Sequence, residues 1–225
     1  MGEPGVKEGL REIQRRISDA CIRVGRDPST VKLLGASKSQ PASRIKEAYD
    51  AGVRCFGENR LQELLEKAPL LPKDIEWHFI GRLQRRKVAK VLPMVSLIHS
   101  LDSLELAQEI EKRASALSRT ARCLIEVNVD REPQKGGIDP ENLMEFLREI
   151  NKFSSLIPVG LMCIPREGGR RVPFKALKQL GEKFRKYFSF STVELSMGMS
   201  EDFEIAIEEG STIVRIGEGL FGPRV

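Results

Sequence analysis

Lys38 closes an apolar run, Val31-Lys32-Leu33-Leu34-Gly35-Ala36-Ser37-Lys38. A lysine ammonium where a buried strand ends loses solvation, which disfavours the charged form and frees the amine to attack a carbonyl. Toward the other end of the chain, Ser196-Met197-Gly198-Met199-Ser200 and Gly217-Glu218-Gly219 each follow a short apolar run. Small residues and backbone N–H groups at strand-to-helix turns suit a phosphate. An amine nucleophile together with a phosphate cup points to a phosphorylated aldehyde, of which pyridoxal phosphate is the commonest in proteins.

Other residues qualify or extend that chemistry. Arg215 sits inside Ile213-Val214-Arg215-Ile216, where a charged side chain needs a partner such as a ring nitrogen or a carboxylate. Asn59 is either a turn residue or a hydrogen-bond donor to a phenolic oxygen. His78 and His99 lie in apolar runs and read as satisfied core residues rather than bases. Each candidate also has an ordinary explanation: a lysine capping a strand at the surface, or glycines serving turn geometry alone.

The elements that must position these groups follow a repeated rhythm. Residues 7–24 place Leu10, Ile13, Ile17, Cys21 and Val24 at helical spacing, and Gly25-Arg26-Asp27-Pro28 ends that helix. Strands are expected at 31–37, 53–57, 75–80, 96–100, 122–128, 157–162, 192–195 and 213–216. Helices are expected at 42–51, 60–68, 84–92, 103–117, 140–152, 174–188 and 200–209. Strands alternating with helices imply a parallel sheet, and eight is the number that closes a barrel. An open doubly wound sheet is the main rival. The difference matters, because only a closed barrel makes the first and last strands neighbours and brings Lys38 to the phosphate candidates. No linker divides the chain, and 165–173 reads as a long loop, so 1–225 is expected to form one domain.

The bulk composition sets limits. The chain has 225 residues, of which 40% are hydrophobic and 31% charged, enough for a sizeable core under an ordinary soluble surface. No apolar stretch reaches the length of a membrane span, and the first residues lack the apolar segment of a secretory signal. The four cysteines are far apart and form no metal-like cluster, so no metal is expected and a reducing cytoplasm is the natural location. The net charge of +5 raises the question of nucleic acid, with Arg82-Leu83-Gln84-Arg85-Arg86-Lys87 the densest basic run. A charge run on a helix is usually a solvated face, and no recognised binding module accompanies it, so nucleic acid is not the expected partner.

Six stretches together resemble one family. They are Ala36-Ser37-Lys38-Ser39-Gln40-Pro41, Phe56-Gly57-Glu58-Asn59-Arg60-Leu61-Gln62-Glu63, Trp77-His78-Phe79-Ile80-Gly81-Arg82-Leu83-Gln84, Gly160-Leu161-Met162-Cys163-Ile164-Pro165, Ser196-Met197-Gly198-Met199-Ser200-Glu201-Asp202, and Gly210-Ser211-Thr212-Ile213-Val214-Arg215-Ile216-Gly217 with Phe221-Gly222. In this order over nearly the whole chain, they look like the pyridoxal phosphate homeostasis proteins. The resemblance implies an α/β fold, a single (β/α)8 TIM barrel with an extra N-terminal helix, similar to the N-terminal domain of alanine racemase. It also implies pyridoxal 5'-phosphate (PLP) as cofactor, held as a Schiff base, and a role in vitamin B6 balance.

Carried over by residue, Lys38 matches the Schiff-base lysine and Asn59 the asparagine near the cofactor ring. Met162 lies on the strand end that packs on the ring. Ser200, with the N–H groups of the helix it opens, matches the phosphate cup, as do Gly217 and Glu218. Arg215 matches the arginine facing the pyridine nitrogen. Ser39 replaces the commoner threonine, and Arg85-Arg86 replace a pair that is usually Ser-Asn, making the rim more basic.

The favoured reading is a non-catalytic PLP carrier that serves PLP-dependent apoenzymes, and a monomer, because no helix face looks surplus to the core. The alternative is a PLP-dependent amino-acid racemase-like enzyme. Racemisation needs a second acid/base group opposite the lysine. The only tyrosines, Tyr49 and Tyr187, fall on expected helices away from the strand ends, while Cys163 and His78 are the conceivable substitutes.

Overall fold

The computed structural model describes residues 5–166, 168 and 171–222. Eight strands form a closed, all-parallel barrel in sequence order. They are β1 (Lys32–Ala36), β2 (Cys55–Glu58), β3 (Glu76–Phe79), β4 (Leu97–Leu101), β5 (Ala121–Glu126), β6 (Leu156–Met162), β7 (Glu194–Ser196) and β8 (Ile213–Ile216). β8 pairs with β1 at Lys32↔Ile213, Leu34↔Arg215 and Gly35↔Ile216, so the sheet closes and the open-sheet rival is excluded.

The α-helices are α1 (Val6–Arg23), α2 (Ala42–Asp50), α3 (Leu61–Lys67), α4 (Val88–Val91), α5 (Leu104–Ala116), α6 (Leu143–Ile150), α7 (Arg171–Phe188), α8 (Phe203–Glu208) and α9 (Glu218–Phe221). α1 is the extra N-terminal helix. Its stripe of Val6, Leu10, Ile13, Ile17, Ala20 and Cys21 is buried, and it packs against α8 and α9. At Gly9 a side chain would stand 3.0 Å from the carbonyl oxygen of Gly219, so a larger residue there would push the two helices apart by a few tenths of an ångström.

Some boundaries differ from the sequence expectation. The expected helix at 84–92 is broken into a 3-10 turn at Arg85–Lys87, the single turn of α4, and another 3-10 turn at Leu92–Met94 that Pro93 starts. α6 begins at Leu143 because Asp139-Pro140 lead into a turn, with Asp139 Oδ1 accepting from the Glu141 N–H at 2.9 Å. α7 begins at Arg171, ahead of the expected Phe174, since Pro173 is tolerated in a first helical turn. The loop expected at 165–173 is correspondingly shorter, and residues 167, 169 and 170 within it lie outside the described residues, as do 1–4 and 223–225. α8 opens at Phe203 rather than Ser200, and Asp202 Oδ1 accepts from the Met199 N–H at 2.7 Å within the preceding turn.

Two cores result. The larger one fills the space between barrel and helices, with Phe56, Phe79, Phe174, Phe184 and Phe203 fully buried in it. Burying a side chain of that size stabilises the fold by roughly 1.5–3 kcal/mol. The smaller one lies inside the barrel and is made of Leu34, Ala36, Cys55, Leu97, Leu124, Met162 and Ile213. Those positions fix the inward parity of the six strands they lie on. Extended along the chain, the same parity points Glu58 and Phe56 away from the barrel axis, and His99, Glu126 and Arg215 toward it.

Candidate functional site at the barrel mouth

The seven residues singled out by the sequence stand at the C-terminal ends of the strands or just after them, Glu218 as the first residue of α9. Lys38 is half-buried in the turn after β1, two residues past the inward-facing Ala36. Its two neighbours are pinned. Ser37 Oγ donates to Glu58 Oε1 at 2.8 Å, and the Ser39 N–H donates to Glu63 Oε2 at 2.7 Å. Lys67 ties these anchors together: its Nζ donates to the Ser37 carbonyl at 2.9 Å, to Glu58 Oε1 at 2.8 Å and to Glu63 Oε2 at 2.7 Å. Ser39 itself adopts φ 61°, a left-handed conformation that costs a non-glycine residue about 1 kcal/mol. The network therefore holds the turn carrying Lys38 in a conformation it would not choose alone.

The electrostatics of this brace follow from burial. Glu58 is fully buried, and desolvation raises its pKa above the ordinary carboxylate value despite the bonds from Lys67 and Ser37. At Glu63 burial also pushes upward, but Lys67 and the Ser39 N–H outweigh it and the net shift is downward. We read Lys67 as the shared cation of both carboxylates.

The end of β8 meets the end of β1. A side chain at Gly217 would stand 3.5 Å from the Ala36 carbonyl oxygen, which places the β8–α9 turn directly beside the β1 strand end. Ser200 lies across from that turn, and its Oγ accepts from the Gly219 N–H at 3.2 Å. Ser200 thus belongs to a turn and bonds to the α9 backbone, which corrects the expectation that it opens a helix. Glu218 is exposed, so what it offers this corner is its backbone. Gly198 holds φ +94° with Ala206 Cβ only 2.6 Å from where a side chain would begin, so the Ser196–Ser200 loop turns as it does only with glycine there. A cavity of about 480 Å³ opens behind the corner, between α1 and Ser200, Phe203 and Gly219, on the outer side from the mouth.

Arg215 is buried within β8. Its Nη1 donates to the Ser196 carbonyl at 2.8 Å and to Ser196 Oγ at 2.7 Å, and its Nη2 donates to the Cys163 carbonyl at 3.0 Å. Among the described residues no carboxylate forms an ion pair with it, and burial lowers its pKa. The carboxylate partner that the sequence suggested is therefore not among its contacts with the described residues. Met162, the last residue of β6, pairs in register with Ser196 and forms part of the inner floor beneath the mouth. Asn59 follows β2, and its Oδ1 is buried with no partner. Its amide can turn to present either a donor or an acceptor, so this end is open to a ligand.

The sequence reading passed over two groups. The Glu58–Lys67–Glu63 brace is one. The other is Glu126, at the C-terminal end of β5, whose pKa burial and the nearby Asp102 raise to about 7, against the pull of Arg215 and Arg82. Its signal was available: Leu124 and Glu126 share inward parity, and a carboxylate at a barrel strand end faces the mouth. Tyr49 and Tyr187 are not at the mouth. Tyr49 bonds to Asp74 from α2, and Tyr187 packs edge-on against Phe188 on α7.

The donor set at the mouth fits a phosphorylated aldehyde: an amine on a braced turn, an open amide, guanidinium N–H groups and a hydroxyl beside a glycine turn. The family model described as alanine racemase, N-terminal domain, matches residues 31–225. A pyridoxal phosphate homeostasis protein of Aquifex aeolicus (strain VF5) is 47% identical over 222 residues, covering 96% of this chain and 97% of that protein. A protein of unknown function from Bifidobacterium adolescentis, solved as a crystal structure, superposes with a TM-score of 0.90 at 36% identity over 96% of this chain and 94% of that one. PipY of Synechococcus elongatus PCC7942, solved with PLP bound, superposes with a TM-score of 0.81 at 34% identity over 93% of this chain and 100% of that one.

Proposed function

The chain belongs to the pyridoxal phosphate homeostasis protein family, and from that premise we propose that it holds PLP as a Schiff base on Lys38 and passes it on without turning over a substrate. The observation that carries this reading is the β1–β8 pairing, which sets the Lys38 turn beside the Gly217 turn at one mouth. Lys38 would hold PLP through its Nζ as a Schiff base, with water lost as the link forms and taken up again on release. Ser37 and Ser39, fixed on either side, orient the amine. Ser200 Oγ and the backbone N–H groups at Gly217 and Glu218 take the phosphate, Asn59 takes the ring oxygen, and Met162 supplies the apolar floor.

When bound, PLP supplies an electrophilic aldehyde and an electron sink whose strength depends on a proton at the ring nitrogen. Arg215 would meet that nitrogen as a donor only. A permanently protonated guanidinium disfavours a second proton there, which weakens the sink and suits a carrier. We place the protein in the cytoplasm as a monomer that serves PLP-dependent apoenzymes. Its four cysteines are free and buried, as in a reducing compartment, and among the described residues no helix is long and apolar enough to cross a membrane.

One observation favours racemase-like chemistry as a second reading: Glu126 titrates near neutrality at the mouth and can exchange a proton opposite Lys38. Two measurements separate the readings. Purified protein with added PLP is expected to show an imine absorbance band that borohydride traps on Lys38, and Lys38→Ala is expected to lose it. A band that persists in Lys38→Ala defeats the assignment. Enzyme-like exchange of amino-acid α-hydrogens in deuterated water, lost in Glu126→Gln, decides for the second reading.

A further inference from the structure

Both histidines of the chain lie inside the barrel, and the hydrogen bonds around them form one unbroken line. Arg215 Nη1 lies 2.7 Å from Ser196 Oγ, and Ser196 Oγ lies 3.0 Å from His99 Nδ1. His99 Nε2 lies 2.9 Å from His78 Nδ1, and His78 Nε2 lies 3.0 Å from Glu76 Oε1. Lys32 Nζ closes the line, 2.9 Å from each Glu76 oxygen. Lys32 and Glu76 are the first residues of β1 and β3, so the line crosses the barrel from the entry of the strands to the mouth.

The two ends assign every hydrogen between them. A guanidinium only donates, so Ser196 Oγ accepts from Arg215 and gives its own proton to His99 Nδ1. Neutral His99 then carries its proton on Nε2 and donates to His78 Nδ1. His78 in turn carries its proton on Nε2 and donates to Glu76. The bonds from His78 and Lys32 hold Glu76 down to about 2, so the far end is a carboxylate that only accepts. Burial lowers the pKa of His78 and lowers that of His99 well below the usual histidine value, which keeps both rings neutral.

We propose that His99 is a positioning residue for Arg215: by taking the Ser196 hydroxyl proton it turns a Ser196 lone pair toward the guanidinium and holds the cation in place without a carboxylate in contact. The proposal rests on the ring-facing role given to Arg215 above. Each bond in the line donates away from Arg215, so the negative ends of the dipoles face the guanidinium. A contacting carboxylate would hold Arg215 as well, but it would compete with a ring nitrogen for the same N–H groups. Glu126 and Asp202 act on Arg215 only through space.

Cys55, Glu76 and His78 also bring one ligand atom each within 4.8 Å of one another, a set of types that suits zinc. Here the Lys32 ammonium already occupies both Glu76 oxygens, and burial raises the Cys55 thiol and keeps it protonated. Protons satisfy this cluster, and it anchors the line.

The line has a defined weakness in acid. His78 faces Glu76, Cys55, Lys32, Arg122 and His99, while His99 faces His78, Ser196, Arg215 and Lys32. A proton added at His99 Nδ1 converts the acceptor for Ser196 into a donor and sets a second cation beside Arg215. The hold on Arg215 is expected to persist at neutral pH and to fail below the usual histidine range.

Because the chain has only two histidines, long-range proton–nitrogen correlation of the histidine-labelled full chain reads the line directly. Expected at pH 7, without PLP, are two neutral rings protonated on Nε2, with the His99 Nδ1 signal moving in Ser196→Ala. A proton on His99 Nδ1, or a charged His99, overturns the proposal. Added PLP gives the second readout. His99→Leu removes the acceptor and is expected to weaken PLP retention about tenfold and to shift the absorbance band, the loss of one buried hydrogen bond. His99→Asn, whose amide oxygen replaces Nδ1 as acceptor, is expected to restore most of both. Equal behaviour of the two variants overturns the proposal. Should His99→Leu fail to fold, the ring protonation and its response to Ser196→Ala decide. If Arg215→Ala leaves PLP retention and absorbance unchanged, the ring-contact reading fails instead, and the ring protonation in PLP-free protein still judges the line.

Discussion

Two cations are buried on either side of β1, one by β2 and one in β8, and they are held in opposite ways. Lys67 meets two carboxylates, Glu58 and Glu63, and the Ser37 carbonyl, all within 2.9 Å. Arg215 meets two carbonyls and a hydroxyl, and its bond to the hydroxyl is backed by two neutral rings. The Lys67 charge is spent on the protein, since its ammonium has three donors and three partners. A guanidinium has five N–H donors, of which three are engaged here among the described residues. A buried cation neutralised by acids works as a brace, whereas one held by neutral acceptors keeps charge and donors for something else.

Lys67→Met tests that contrast most severely. It leaves the fully buried Glu58 beside no cation, and breaking such a pair typically costs about 3–5 kcal/mol, measurable as a lower urea midpoint. Adding Glu58→Gln is expected to restore part of the loss; a double variant no better than Lys67→Met alone would mean that the ion pair is not what is lost. Arg215→Met comes next. It strands neutral acceptors rather than a charge, so about 1–3 kcal/mol is expected, together with a shifted absorbance of added PLP. A loss as large as that of Lys67→Met would erase the distinction between the two cations. Ser37→Ala removes a single hydroxyl from the brace and is expected to cost about 1 kcal/mol. If it also slows imine formation with added PLP, the brace is shown to orient Lys38 and not only to support the fold.

The contrast also marks what the sequence could reveal. Alternating apolar runs and helical stripes identified the eight strands, and their number led to the closed barrel, because local pattern and global topology agree there. Arg215 was legible as a charge inside a strand, and Lys38 and Gly217 as residues that follow strand ends. Lys67 was not, since a lysine at the end of a helical stripe looks like any solvated one, and only folding brings it under the β1 turn. His78 and His99 were correctly read as satisfied, but their partners come from β3, β4 and β7, and such long-range bonds leave no trace in spacing. The broken helix at 84–92 was overestimated because its charge pattern is helical while Pro93 and the short strand separation leave room for single turns.

The smallest expected effect is a pH slope to which Glu126 and the two histidines contribute with opposite sign. Glu126 has a folded value of about 7 against an ordinary 4.5, so between those values the folded chain keeps a proton that the unfolded chain has lost. Its contribution to stability therefore falls as pH rises through that window. The histidines run the other way. Their folded values lie below 6.5, so as pH drops under 6.5 the unfolded chain takes up protons first and stability falls. Between pH 5 and 6.5 the two slopes partly cancel. Glu126→Gln removes one of them, and its urea midpoint is expected to fall more steeply with acid than that of the parent chain, by an amount on the order of 1 kcal/mol over this range. Parallel curves for the two proteins would show that Glu126 does not hold a proton in the fold, and the mouth would then lack the titrating acid on which the racemase-like reading depends.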